Sequence, residues 1–313
     1  MPRILTLTMN PAVDVSTRTA KVEPTHKLRC GPALQHAGGG GINVARVVHR
    51  LGGDVRAVFP TGGLNGQVLC RLLQAEGVQA ECVPVGGETR ESFSVFEETS
   101  GKDWRFVLPG PALTGPEAQS CLDRAAAAAD GALLAVVSGS LPPGVPDDFY
   151  ARLARLLAAR GVPMVLDSSG AALAAALAAG VYLVKPSQRE LNELTGAPLA
   201  EPAQRLAACR ELIARGQAQV VALSLGDQGA MLVSRDGAWQ AAALRVQVAS
   251  TIGAGDSFVG GMVHALQRGD ALEAAFRQAM AASAAALLSP GTALCRPEDV
   301  ARLLPEVRIR RIG

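Results

Sequence analysis

The sequence predicts an α/β protein in which a mostly parallel sheet carries helices on both faces and a small β-sheet projects from it. Three observations carry this. From Leu133 onward, short apolar runs alternate with amphipathic helical repeats at the spacing of βα units. At Ser250–Ser257 a glycine-rich turn opens straight into the helix Phe258–Leu266. Between Ser92 and Val107 the pattern switches to period two around Ser100-Gly-Lys102, the mark of a hairpin.

A chain of 313 residues could form one large domain or two smaller ones. With 49% apolar and 19% charged residues it reads as a soluble globular protein with an ample core. A net charge of +2 without a basic stripe argues against nucleic acid, and the basic Arg308–Arg311 reads as a solvated tail. A signal pattern and a membrane-length apolar run are both lacking, so the expected setting is cytoplasmic with no membrane partner. Cys30, Cys70, Cys82, Cys121, Cys209 and Cys295 lack CxxC spacing and read as reduced, buried thiols. The histidines are equally scattered, so zinc is not expected.

In chain order, Arg3–Thr8 alternates as a strand that Asn10-Pro11 ends, with Asp14 in a loop beyond it. Lys27 and Arg29 place two cations on one side of an extended segment, a pattern that solvated surface also explains. The run Gly38-Gly39-Gly40-Gly41 cannot be the interior of a helix or strand, and precedes a helix Ile42–Leu51 that Gly52-Gly53 closes. It is not a phosphate loop of the Lys-Ser/Thr type and misses the dinucleotide spacing, with Asn43 where the third glycine would stand. Val55–Pro60 is a strand, and Gly62–Gly66 turns into a helix Gln67–Glu76. The hairpin follows, with Arg90 at its entrance, and most of the scarce aromatic content lies in it.

Leu133–Val137 is a core strand running into Ser138–Gly144, with Ser140 in a loop where open α/β sheets bind ligands. Helix Asp148–Arg160, strand Met164–Asp167, helix Ala171–Ala179 and strand Val181–Val184 continue the alternation. Lys185 to Glu190 follow directly, then a strand Val220–Leu225, a tight turn Gly226–Gly229 and a strand Ala230–Val233. Helices Leu272–Leu288 and Pro297–Leu304 close the chain.

The most chemical stretch is Ser250-Thr-Ile-Gly-Ala-Gly-Asp-Ser257. Gly253 and Gly255 let the backbone approach a ligand, and the free N–H groups of the next helix favour an anion such as phosphate. Asp256 puts a carboxylate beside that hole, where it could take a proton; a plain turn with Asp256 as N-cap is the alternative.

Gly253-Ala254-Gly255-Asp256 resembles the signature of the ribokinase-like, or PfkB, carbohydrate kinases, and the similarity runs from Thr6 to about Cys295. Within that family it is most similar to the branch of minor-type bacterial 6-phosphofructokinases. The resemblance implies a single ribokinase-like domain over residues 1–313: a three-layer α/β/α doubly wound sheet with a small projecting β-sheet lid from about 14–34 and 88–108. It implies Asp256 as catalytic base, with the backbone from Ile252 through Gly253 and Ala254 to Gly255 stabilising the transferring phosphate. Asp14, Lys27, Arg29, Gly38, Gly39, Gly40, Gly41, Asn43, Arg90 and Ser140 would bind the sugar. Lys185, Ser187, Ser224, Gly226, Gly229 and Thr251 would bind ATP. Ser187 and Glu190 would organise Mg²⁺ through water, although the family has Asn where Ser187 stands. The carbonyls of Ser250, Ile252, Ala286, Ser289 and Gly291 match a potassium site of the family. The lid would exclude water and join two chains as a homodimer through Phe93, Phe96, Trp104 and Phe106. The implied reaction is phosphorylation of fructose 6-phosphate by ATP in glycolysis, with Mg²⁺. Fructose-1-phosphate or tagatose-6-phosphate kinase activity is the alternative, and a non-catalytic sugar or nucleotide-binding regulator stands further off. Kinases of those two other ketose phosphates typically carry Lys where this chain has Gly40.

Overall fold

The computed structural model describes residues 3–312. β1 (Arg3–Leu7) leads into two strands of the lid, β2 (Ala12–Thr19) and β3 (Leu34–Gly38). The chain returns through α1 (Gly40–Arg50) to β4 (Val55–Thr61), α2 (Gly63–Ala75) and β5 (Gln79–Pro84), and completes the lid with β6 (Arg90–Glu97) and β7 (Lys102–Val107). It then winds the rest of the main sheet through α3 (Gly115–Ala128), β8 (Ala132–Ser138), α4 (Phe149–Ala158), β9 (Met164–Asp167), α5 (Gly170–Ala179) and β10 (Val181–Val184). After these come α6 (Gln188–Thr195), α7 (Pro202–Ala214), β11 (Ala218–Ser224), β12 (Ala230–Ser234) and β13 (Ala238–Ala241). The chain closes with α8 (Ala254–Gln267), α9 (Leu272–Leu287), α10 (Pro297–Leu303) and β14 (Ile309–Arg311).

The 10-stranded sheet has the order β14-β13-β12-β11-β10-β9-β8-β1-β4-β5, and the 4-stranded lid the order β3-β2-β6-β7. β1 pairs in parallel with both β4 and β8, so the winding reverses direction beside it. A crevice opens outside the strand ends at such a reversal, and ligands bind there. Alternation along the strands divides the core. Ile4, Leu134, Val136 and Val220 face α1, α8, α9 and α10, while Leu5, Leu7, Ala135 and Val137 face α3, α4, α5 and α7. Each strand is therefore apolar on both sides, which is why these runs carry little polar alternation.

Several boundaries differ from the sequence reading, for physical reasons. Asp14 lies on a strand, paired with His36 and Ser92, not in a loop. Backbone pairing to two neighbours extends the lid to the residues right after Pro11. The glycine run is not a loop throughout: Gly38 ends β3, and Gly40 and Gly41 form the first turn of α1. α2 likewise starts at Gly63, and α8 takes Gly255 into its first turn after Ala254, because a glycine at a helix start costs little when its backbone N–H is unpaired there anyway. Arg308–Arg311 is not a free tail, since β14 pairs antiparallel with β13 and Arg310 donates to Gln240 Oε1 at 2.7 Å. Cys121, Cys209 and Cys295 are buried as expected, but Cys30 and Cys82 are exposed and Cys70 is half-buried.

Candidate active site

Gly253 turns the chain into α8 with a left-handed backbone, φ 76°, and a Cβ there would overlap Leu294 Cδ2. Only glycine fits both demands. The Ser257 N–H makes a return bond to the Gly253 carbonyl at 2.8 Å, so the amides of Gly253, Ala254 and Gly255 head the helix. The Ile252 N–H is not among the free donors, because the Ser250 hydroxyl accepts it at 3.2 Å. The set of unpaired amides at this helix head is thus one shorter at its start than the sequence suggests.

Asp256 sits in the first turn of α8 rather than capping it. Asn43, on α1, donates its Nδ2 to Asp256 Oδ2 at 2.9 Å. Arg46, one turn later and fully buried, donates Nη1 to Asn43 Oδ1 at 3.4 Å, which fixes the amide so that its N–H₂ faces the carboxylate. The same nitrogen donates to the carbonyls of Ala37 at 2.8 Å and Thr292 at 3.3 Å, and the guanidinium pairs with Glu76 at 2.8 Å. One cation therefore ties the partner of Asp256 to the lid root and to the loop after α9. Burial raises the Asp256 pKa above the ordinary carboxylate value, and the Asn43 bond and Lys185 oppose that.

Lys185 follows β10 and reaches across to Asp167, at the end of β9, with Nζ–Oδ1 3.0 Å. Burial raises Asp167 to about 6, against the pull of Lys185. Burial also presses the Lys185 ammonium downward, but Asp167, Glu190 and Asp256 together leave it above its usual value. A Cβ on Gly255 would lie 3.8 Å from Lys185 Nζ, so this ammonium faces the amides at the head of α8. A cavity of about 830 Å³ opens beside them, lined by Lys185, Ser224, Gly226, Gly229, Thr251 and Gly255. Its size suits a nucleotide. Its apolar walls, Val246, Val248, Phe258, Met280 and Leu287, carry no motif, and the sequence reading passed over all but Phe258, taken only as the first residue of a helix.

Ser187 is not among the residues lining that cavity. It caps α6: its hydroxyl accepts the Glu190 N–H at 3.3 Å, and Glu190 Oε2 accepts the Ser187 N–H at 2.7 Å. This reciprocal box contributes about 1 kcal/mol to the helix and leaves Glu190 Oε1 free.

On the lid side, Asp14 is buried, and burial raises its carboxyl against the pull of Arg105, Arg90 and Arg46. Arg90 holds its guanidinium with Nη2 to the Asn10 carbonyl at 3.0 Å and Nη1 to the Leu108 carbonyl at 3.2 Å. Asn10 in turn donates Nδ2 to Ser140 Oγ at 3.1 Å, so Arg90 and Ser140 meet through it. Asp167, Arg46, Asn10 and Arg105 are absent from the sequence reading of the site. An Asp closing a core strand could have flagged Asp167; nothing local marks the others. Lys27 and Arg29 lie on the exposed loop 20–33, and among the described residues neither makes a side-chain hydrogen bond or ion pair to Asp14, Arg90 or Ser140.

The segment carrying Ser250 and Ile252 runs beside the end of α9: the Ala249 and Ser250 N–H groups both donate to the Leu287 carbonyl, at 2.7 and 3.4 Å. Ala286 lies in the last turn of α9, where its carbonyl accepts the Ser289 N–H at 3.1 Å, and Ser289 and Gly291 lie just beyond that helix.

Over residues 6–299 the chain matches the model of the pfkB family carbohydrate kinases. It is 48% identical to the ATP-dependent 6-phosphofructokinase isozyme 2 of Mycobacterium tuberculosis H37Rv, over 96% of this chain and 88% of that one. Phosphofructokinase-2 from Escherichia coli in complex with fructose-6-phosphate superposes with a TM-score of 0.92 at 40% identity, over 98% of this chain and 99% of that one. The same Escherichia coli protein, solved in complex with potassium, gives 0.93, and its tetrameric inhibited form gives 0.92. Arabidopsis thaliana ribokinase, 20% identical with 97% and 98% covered, shares the fold at a TM-score of 0.73.

Proposed function

The chain belongs to the pfkB family of carbohydrate kinases, and from that premise we propose that it transfers the terminal phosphoryl group of ATP to the 1-hydroxyl of fructose 6-phosphate. The product is fructose 1,6-bisphosphate. The observation that carries this reading is the Asp256 carboxylate, held by Asn43 at 2.9 Å beside the amides that head α8, with the Arg90–Asn10–Ser140 group across from it. Asp256 takes the proton of the attacking hydroxyl. The amides of Gly253 to Gly255 and the Lys185 ammonium hold the phosphoryl oxygens. Arg90 anchors the 6-phosphate and the lid keeps water out. Phosphoryl transfer asks for positioning and charge more than covalent chemistry, and this set supplies both.

Magnesium would come with the nucleotide and neutralise phosphate charge. Among the described residues no three acidic, His or Cys groups form a cage. Asp167 and the free Glu190 oxygen suit a cation met through water, the usual habit of Mg²⁺. Glu190→Gln keeps the capping box but loses the charge, so it should raise the Mg²⁺ needed for half-maximal rate without lowering Tm. Ser187→Asn, also a good cap, should lower it. A Mg²⁺ titration unmoved by both changes removes the segment from metal binding. Potassium would be held by the carbonyls of Ser250, Ile252, Ala286, Ser289 and Gly291, bracing the anion hole.

The acceptor assignment rests partly on Gly40. A Cβ there would overlap Ser138 Oγ and lie 2.9 Å from the Ser138 carbonyl carbon and 3.0 Å from the Gly139 nitrogen. A lysine at this position would force Ser138 and Gly139 to shift, which supports a phosphate anchor elsewhere, at Arg90. The test compares kcat/KM for fructose 6-phosphate, fructose 1-phosphate and tagatose 6-phosphate; a preference for either of the last two overturns the assignment.

Two copies pair through the lid, whose outer face exposes Phe93 at 38%, Trp104 at 43% and Phe106 at 52%. Phe96, half-buried, adds less to that face than the sequence suggests. Light scattering at micromolar concentration should report a dimer or larger, and a monomer alone sinks the idea. Dependence on ATP sets this activity in the cytoplasm.

A further inference from the structure

Cys70, on α2, and Cys82, on the edge strand β5, bring their sulfurs to 2.6 Å although twelve positions separate them in sequence. Neither belongs to the nucleotide cavity or the lid site. Cys82 is exposed and Cys70 half-buried, so reagents in solvent reach the pair. An open cavity of about 550 Å³ lies against it, lined by Thr61, Gly62, Gly63, Gln67, Cys70 and Arg71. Arg71 is exposed there and offers a cation to a small acidic molecule.

We propose that Cys70 and Cys82 form a redox-active dithiol that is oxidised to a disulfide by low-molecular-weight disulfides bearing carboxylates. A disulfide needs the sulfurs at about 2.05 Å, so the pair has only a few tenths of an ångström to close. The hydrogen bond from Cys82 brings Cys70 down to about 7 despite its partial burial, with the Thr61 hydroxyl helping, so Cys70 is the attacking thiolate. Cys82 is pushed up by that same contact, and it resolves the intermediate. In the first step the Cys70 thiolate attacks one sulfur of the reagent. Its S–S bond breaks and one thiolate leaves, taking a proton. Cys82 then gives up its proton and its sulfur attacks Cys70, expelling the second thiol. The protein loses two electrons and two protons, and the reagent becomes two thiols.

The bridge would tie α2 to β5. The other end of α2 already holds the residues just before Arg90: Asn65 Nδ2 donates to the Thr89 carbonyl at 3.0 Å, and the Asn65 N–H donates to Glu88 Oε1 at 2.6 Å. Oxidation therefore constrains the helix that roots β6.

The test treats the full-length protein at neutral pH with oxidised glutathione, then with iodoacetamide, and reads intact mass and peptide map. The wild type should become lighter by about 2 Da, lose two alkylation sites and yield a Cys70–Cys82 linked peptide, all reversed by reductant. Cys82→Ser keeps a hydroxyl donor beside Cys70 and should instead accumulate one glutathionyl group on Cys70. Cys70→Ser should consume glutathione disulfide about tenfold more slowly, because an ordinary thiol holds far less thiolate at neutral pH. Full alkylation of both cysteines in the treated wild type, a stable mixed disulfide there, or a bridge to Cys30 instead would each overturn the proposal.

Discussion

Asp256→Asn is expected to lower kcat by at least about 10²-fold, the usual size of a general-base contribution, while ATP affinity holds. The geometry isolates the effect. Asn43 Nδ2 can donate to the new amide oxygen as it does to Asp256 Oδ2 at 2.9 Å, so α1 and α8 stay in register. What disappears is the proton acceptor. The pH profile offers an independent check. The base must be ionised to act, and burial raises its pKa, so the rate of the wild-type enzyme should fall as pH drops through a value above the ordinary carboxylate range. In Asp256→Asn that acid limb should vanish from the residual rate. Near-normal turnover by the variant would take Asp256 out of the mechanism.

Arg90→Ala should reduce kcat/KM for the sugar phosphate by roughly 10- to 200-fold and leave the KM for ATP unchanged, since a lost charge-assisted contact costs about 1.5–3 kcal/mol. The guanidinium is oriented before any ligand arrives: Nε and Nη2 both donate to the Asn10 carbonyl, and Nη1 donates to the Leu108 carbonyl and to Ser92 Oγ. Burial lowers its pKa, and Asp14 opposes that, yet an arginine stays charged throughout the working range. Arg90→Lys should rescue only part of the loss, because a lysine cannot bridge the same two carbonyls and still present a planar fork. A normal kcat/KM in Arg90→Ala would move the phosphate anchor to another cation, with Arg105 the first candidate.

The parallel sheet was legible because its strands are short, apolar and bounded: the sequence bounds of β9 and β10, Met164–Asp167 and Val181–Val184, are those of the structure. The turn into α8 was legible because glycines next to a helix start stand out in the sequence, and Gly253 does take the left-handed backbone there. What escaped were features made by distance in the chain. β5, α6 and α7 have mixed polarity, so periodicity did not single them out, although Ser187 with Glu190 before α6, Gly196 after it and Pro202 at the start of α7 are helix punctuation that the reading left unused. Ser187 and Glu190 read as metal-organising groups, and their part in capping α6 appears only once that helix is seen. Arg46 looked like one more residue on a helix; of its four acceptors only Asn43 lies on that helix, and Ala37, Glu76 and Thr292 come from β3, the end of α2 and the loop after α9. Cys70 and Cys82 looked unrelated because the helix-to-strand return that joins them leaves no local trace.

The edges of the two sheets have different fates in self-association. The large sheet ends on one side in β14, where Arg310 and Arg311 are exposed, and on the other in β5, where Glu81 meets Arg124 at 2.8 Å. Charge at an edge makes it a poor template for another strand. β7, the outer strand of the lid, is exposed along its whole length and carries Lys102, Asp103 and Arg105 beside Trp104 and Phe106. Growth by strand addition is thereby discouraged at all three edges, and what the lid leaves open is the apolar face carrying Phe93, Trp104 and Phe106. A contact made by one patch with its own copy closes on a two-fold axis and leaves nothing to extend, so the layout of charge favours a finite particle over an open filament.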